Sequence, residues 1–249
     1  MNVLDEIVLN TKSKLEAMKS KTSLKELISQ VNKIKIEKSG FKENLSANDQ
    51  AIIAEIKKAS PSAGIISEDF DPVSKAKEYE LLGASALSIL TEEDYFLGSI
   101  QYLKDVKAIS NLPILRKDFI VDEYQIYESK LIGADCILLI VSILSDSELQ
   151  RFTSLADTLG LDYIIEVHDE AELKRVEDFS DAIIGVNNRD LKTFEVNIEN
   201  SIRLRNFFKK ENIFVAESGI KNQKDIDELS KHNINVFLIG ESLMRGDFL

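Results

Sequence analysis

At 249 residues the chain has the usual length of one α/β barrel, and folding at this size buries about 70–75% of the unfolded surface, so no disulfide or structural metal is required. A net charge of −12, from 31 Lys and Arg against 43 Asp and Glu, disfavours nonspecific nucleic-acid and anionic-membrane binding, which need basic patches. The single cysteine, Cys136, sits in an apolar run as a buried strand residue, which fits a reducing, cytoplasmic setting; no stretch reads as a signal sequence or membrane span.

The first 45 residues read as two charged helices, with apolar positions Leu4, Ile7, Leu15 and Met18, then Leu24, Leu27, Ile28 and Val31, near helical spacing. This extension, residues 1–48, is expected either to act as a lid or to cover the barrel bottom, and the pattern leaves both open. Across 49–249, apolar runs alternate with amphipathic, charge-rich segments. The runs are 51–56, 84–90, 112–115, 136–141, 163–167, 182–186, 213–216 and 236–239. Several are nearly continuous in Val, Ile, Leu and Ala, as parallel strands covered on both faces require. Helices are expected at 73–82, 100–109, 123–131, 146–159, 171–179, 198–208 and 224–231. Gly83, Gly133 and Gly160 follow three of them, where a left-handed cap costs glycine little. Eight units predict a (β/α)8 TIM barrel. With three prolines and no linker, one domain over 1–249 is expected.

In such a barrel, chemistry is built from strand C-termini and the loops after them. The first strand ends Ala54-Glu55-Ile56-Lys57-Lys58-Ala59-Ser60-Pro61-Ser62, and period-two alternation sends Glu55 and Lys57 to the lumen, where they can pair. The third ends Leu115-Arg116-Lys117-Asp118-Phe119, the fifth Ile165-Glu166-Val167-His168, and the sixth Gly185-Val186-Asn187-Asn188-Arg189-Asp190. Charges at several successive tips are poorly explained as packing, because burying each costs several kcal/mol unless paired or solvated. The seventh and eighth strands end Ala216-Glu217-Ser218-Gly219-Ile220 and Ile239-Gly240-Glu241-Ser242. Glycines there expose backbone N–H groups at helix starts, the usual phosphate site of barrels. Glu241, directly after Gly240, can contribute its N–H if its carboxylate points outward. Tyr95, Phe96 and Phe119 follow the second and third strands and can line an apolar pocket or simply pack. With two histidines and no paired Cys-x-x-Cys, no metal site is expected. His168 lies next to the proposed site and can hydrogen-bond there, although a place behind the site or on the surface is the expected reading.

Taken together and in order, these tip motifs, with Asn187-Asn188-Arg189-Asp190-Leu191, resemble those of the indole-3-glycerol-phosphate synthase family, and the helical extension is similar too. The resemblance implies a carboxy-lyase without a cofactor. It would take 1-(o-carboxyphenylamino)-1-deoxyribulose 5-phosphate through ring closure, decarboxylation and dehydration to indole-3-glycerol phosphate, in tryptophan biosynthesis. It further implies that Lys117 is the general acid, that Glu166 and Glu55 move protons, and that Lys57 pairs with Glu55 and serves the phosphate. Asn187 and Arg189 would lie near the anthranilate carboxylate, with Asn187 and Ser218 among the catalytic residues. Phe96, Phe119, Leu138 and Leu191 would form the ring pocket; Ser60 and Glu217 would bind substrate, and Gly219, Gly240 and Glu241 the phosphate. The expected partner is this small phosphorylated molecule, with no nucleic acid or membrane. The chain is expected as a monomer that associates at most weakly with other tryptophan-pathway enzymes. On the residues alone, a phosphoribosyl isomerase, a Schiff-base aldolase using Lys117, or a noncatalytic barrel also stays open, although the lysine-tip motif argues against the first.

Overall fold

The computed structural model describes residues 3–190 and 193–248. Eight parallel strands close into a barrel: β1 (Ala51–Ile56), β2 (Ala86–Leu90), β3 (Ile114–Lys117), β4 (Cys136–Ile140), β5 (Asp162–Val167), β6 (Ile183–Asn187), β7 (Phe214–Glu217) and β8 (Val236–Ile239). Closure is seen at β1, where Ala54 lies opposite Leu87 of β2 and Ile239 of β8. Each strand is followed by a helix: α4 (Pro72–Leu81), α5 (Ile100–Lys107), α6 (Glu123–Ile132), α7 (Asp146–Thr158), α8 (Glu170–Lys174), α9 (Glu199–Phe207), α10 (Gln223–Ser230) and α11 (Glu241–Arg245).

Period-two alternation divides the strands into two apolar layers. Ala51, Ile53, Ala86, Leu115, Cys136, Leu138, Ile164, Val215 and Leu238 fill the lumen. Their neighbours Ala54, Leu87, Ile137, Ile165, Ala216 and Phe237 pack outward beneath the helices. The lumen stack continues upward from these rows, so the next inward positions, Glu55, Lys117, Glu166, Asn187 and Glu217, meet at the mouth. Side-chain oxygens of Asp71, Ser99, Asp122, Ser145, Asp169 and Asn222 accept first-turn N–H groups of six helices, so most βα loops end on a fixed cap. Gly83, Gly133 and Gly160 are all left-handed, as their places after helices predict.

Three differences from the sequence expectation have physical reasons. Strands 3, 6 and 7 run further toward the mouth than their apolar runs, because polar tip residues remain in the ladder: Lys117 pairs opposite Leu90 and Asn187 opposite Glu217. The helix expected at 171–179 ends at Lys174. Beyond it Val176 stays buried, but the segment tightens into turns where the Arg175 guanidinium reaches Asp146 and the carbonyls of Val141 and Leu144. The N-terminal extension holds three helices rather than two, and it serves both ends of the barrel. In α1 (Val3–Lys21), Val3, Leu4 and Ile7 face the mouth, and Lys14 and Lys19 are tied to Asp94 and Asp122, each at 2.7 Å. α2 (Leu24–Val31) packs on α6 through Leu27 and Tyr124. The unforeseen α3 (Phe41–Ser46) plugs the opposite end, with Phe41 and Leu45 buried against Ala51, Ile53 and Val236. Among the described residues, no helix is long and apolar enough to cross a membrane.

Candidate active site at the barrel mouth

The mouth opens into a cavity of about 650 Å³. At its floor, Lys117 Nζ stands 2.9 Å from Glu166 Oε2 and 2.7 Å from Glu217 Oε2, joining three strands. Burial alone would lower the lysine's pKa, but the two carboxylates outweigh it and hold the ammonium above the ordinary lysine range. Glu166 would be raised by burial, yet Lys117 and then His168 keep it well below the usual carboxylate range. Glu217 goes the other way: burial, with Glu166 and Glu55 nearby, outweighs Lys117 and pushes it up to about 7. One site therefore holds two carboxylates with opposite preferences, the arrangement that separates acid from base.

Glycine makes room for these groups. A Cβ at Gly185 would stand 2.2 Å from Glu217 Oε1, and one at Gly240 would stand 2.4 Å from Glu55 Oε1. Glu55 in turn accepts from Lys57 Nζ at 2.5 Å, the pair that period-two alternation predicts, and Lys57 stands beside Gly240.

Around the floor the walls differ in chemistry. Phe96 and Phe119, with ring centroids 6.0 Å apart, and Leu138 form an apolar side. Asn187 Nδ2 donates to Glu166 Oε1 at 3.2 Å, while its own Oδ1 accepts the Arg189 N–H at 3.0 Å. The Arg189 guanidinium lies 3.9 Å from Glu241 Oε2, and Glu241 also pairs with Arg245 at 3.2 Å. Ser218 and Gly219 both take positive φ, 66° and 82°; for serine this is a strained conformation of the kind found at functional sites.

The site residues implied by the family resemblance line this one cavity, from Glu55, Lys57 and Ser60 through Glu217, Ser218, Gly219, Gly240 and Glu241, except Leu191, which lies outside the described residues; of the aromatics expected there, Phe96 and Phe119 reach the wall and Tyr95 does not. Glu217, expected among the substrate-binding residues, also holds Lys117 directly. Sequence reasoning missed Phe194, Val196 and the α1 residues on the wall. Apolar side chains in the polar loop after β6 were the available signal for the first two. It also missed Glu92, a buried tip acid whose carboxylate accepts the N–H groups of Asp94, Tyr95 and Phe96 and so shapes the loop that carries Phe96. Among the described residues, no group of His, Cys, Asp and Glu is arranged to hold a metal ion.

Solved structures share the fold at low identity. A chain from the tryptophan synthase α2β2 complex of Pyrococcus furiosus aligns with TM-score 0.57 at 16% identity, covering 80% of this chain and 89% of that one. N-acetylmannosamine-6-phosphate 2-epimerase from Clostridium perfringens gives 0.58 at 12%, covering 80% and 90%. Sequence relatives are much nearer. Indole-3-glycerol phosphate synthase of Ruminiclostridium cellulolyticum is 48% identical, with 98% of this chain and 94% of the relative covered. That of Thermoanaerobacter pseudethanolicus is 49% identical, with 98% and 92% covered. The family model for indole-3-glycerol phosphate synthase matches residues 4–248, and the chain belongs to that family.

Proposed function

We propose that this mouth converts 1-(o-carboxyphenylamino)-1-deoxyribulose 5-phosphate to indole-3-glycerol phosphate with Lys117 as the general acid. The observation that carries the assignment is the Lys117 ammonium held between Glu166 and Glu217 on the floor of the cavity. In ring closure, the aromatic carbon bearing the carboxylate attacks the ribulose carbonyl carbon. The carbonyl electron pair moves to oxygen, which takes a proton from Lys117. A fixed, largely buried ammonium supplies both charge and proton there, and a positioned acid is worth about 10²–10⁴ in rate. Loss of carbon dioxide returns an electron pair to the ring. Loss of the new hydroxyl as water, with a proton from the adjacent ring carbon, completes the indole.

Glu166, kept ionised, is the base that collects a proton. Glu217, matched to neutral pH, can return one to Lys117 after the acid step. Glu55 orients Lys57 toward the side that carries Gly219 and Gly240, where the phosphate would sit. A substrate carrying both a carboxylate and a phosphate needs local cations in an acidic chain, and Lys57, Arg189, Lys221 and Arg245 ring the cavity. A Schiff-base role for Lys117 is disfavoured, because imine formation needs the free amine and both carboxylates favour the ammonium. The setting is cytoplasmic in this reading, which suits a chain whose lone cysteine is buried.

Fluorescence-detected turnover of this substrate by the purified protein and by Lys117→Met tests the assignment. Turnover in the first and its loss in a folded variant are expected; full turnover in Lys117→Met would remove the lysine from the acid role.

A further inference from the structure

Two residues beyond Glu166, His168 stands behind the cavity wall rather than on it, with 17% of its side chain exposed. Its two ring nitrogens face two carboxylates: Nε2 lies 3.3 Å from Glu166 Oε1, and Nδ1 lies 3.2 Å from Glu172 Oε2. The contact with Glu166 is one of charge rather than an aligned hydrogen bond, whereas Glu172 grips the residue twice, since the same oxygen accepts the His168 backbone N–H at 2.7 Å. Asn200 of α9 donates to the His168 carbonyl at 3.0 Å and fixes the turn from the other side. A neutral imidazole has only one N–H, so two facing carboxylates favour the doubly protonated cation. Burial by itself would lower the His168 pKa, but Glu166 and Glu172 raise it to about 10.

The chain of contacts runs inward from α8: Glu172, His168, Glu166, Lys117, Glu217, alternating in sign at every step. We propose that His168 is a positioning residue for the reaction, holding Glu166 as an aimed carboxylate through this charge pair, with Glu172 as its clamp. The inference rests on the reading of Glu166 as the base. The other groups meeting Glu166 are the Lys117 ammonium of β3, joined to Glu217 of β7, and the neutral amide of Asn187 from β6. Removing the imidazolium leaves Oε1 with Asn187 alone. The carboxylate then gains freedom and holds a proton more readily, while the cavity wall keeps its composition.

His168→Gln preserves a donor of similar reach and removes the charge. Its pH profile of substrate turnover is read beside circular dichroism and thermal melting. The expected kcat loss is about tenfold, the scale of a charge interaction that moves a carboxylate by about one pKa unit, with KM within about twofold. The acidic limb of kcat/KM, which reports the base in the free enzyme, is expected to move to higher pH. Glu172→Gln should give a smaller loss and a shift in the same direction, with partial recovery in Glu172→Asp. A folded His168→Gln protein with kcat and acidic limb unchanged, only melting lower, overturns the proposal. If that variant does not fold, Glu172→Gln decides by the same criteria, since its side chain reaches Glu166 only through His168. Failure of the underlying reading would show separately, as no turnover by the unaltered chain, and would overturn both.

Discussion

Gly185→Ala tests whether the lumen layer is built around Glu217. Gly185 faces inward on β6, and an added Cβ would stand 2.2 Å from Glu217 Oε1 and 2.7 Å from Ile164 Cγ2. Its backbone is not left-handed, so alanine would otherwise stabilise the fold by about 0.4–1 kcal/mol through the unfolded chain. Overpacking a tight core costs about 1–3 kcal/mol, so a net loss of about 1–2 kcal/mol is expected in urea unfolding. The cheaper relief is for the Glu217 carboxylate to back away from Lys117, now 2.7 Å distant. Displacing a reacting group by about 1 Å costs on the order of 10² in rate, so kcat should fall between tenfold and a hundredfold. Gly185→Ala combined with Glu217→Asp shortens the obstructing side chain and should recover much of the stability, though not the activity. A Gly185→Ala protein at least as stable as its parent, with kcat within about twofold, would refute the reasoning.

Phe41→Ala empties the plug under the barrel, where Phe41 is fully buried, and should cost about 3–5 kcal/mol in chemical denaturation while the folded fraction keeps its kcat. Glu92→Gln weakens the carboxylate that accepts three loop N–H groups; a loss of about 1–3 kcal/mol and a raised KM are expected, because the loop carries Phe96. His168 also predicts a pH dependence of stability. Its pKa rises from 6.5 to about 10 on folding, so its contribution is complete below pH 6.5 and is lost as pH climbs through 10. The melting-temperature gap between parent and His168→Gln should accordingly be widest near pH 6 and narrow toward pH 10.

Much of this site was legible before folding. Glu55 and Lys57 pair because they are two residues apart at the end of β1, and alternation carried one residue past Ile56 puts both inward. Gly219 and Gly240 were expected at the mouth because each is a glycine entering the loop after the seventh or eighth strand, and both line the cavity. Glu92 was not legible, because an acid in Thr91-Glu92-Glu93-Asp94 reads equally well as solvated loop; only the folded turn shows one of the three carboxylates buried on backbone N–H groups. The plug helix α3 was missed for a related reason, since six residues with two apolar side chains carry too little periodicity to stand out.

What the sequence by itself determined was local and periodic: eight βα units, their closure into a barrel, and the set of polar residues that would share its mouth. Tertiary structure alone decided which of them meet. Glu166 and Glu217 lie 49 and 100 residues from Lys117 along the chain, and barrel closure brings both within hydrogen-bonding distance of one ammonium. Their opposite proton affinities follow from that meeting. A carboxylate's charge state depends on its burial and on the distance to its neighbours, and neither exists until the strands have closed.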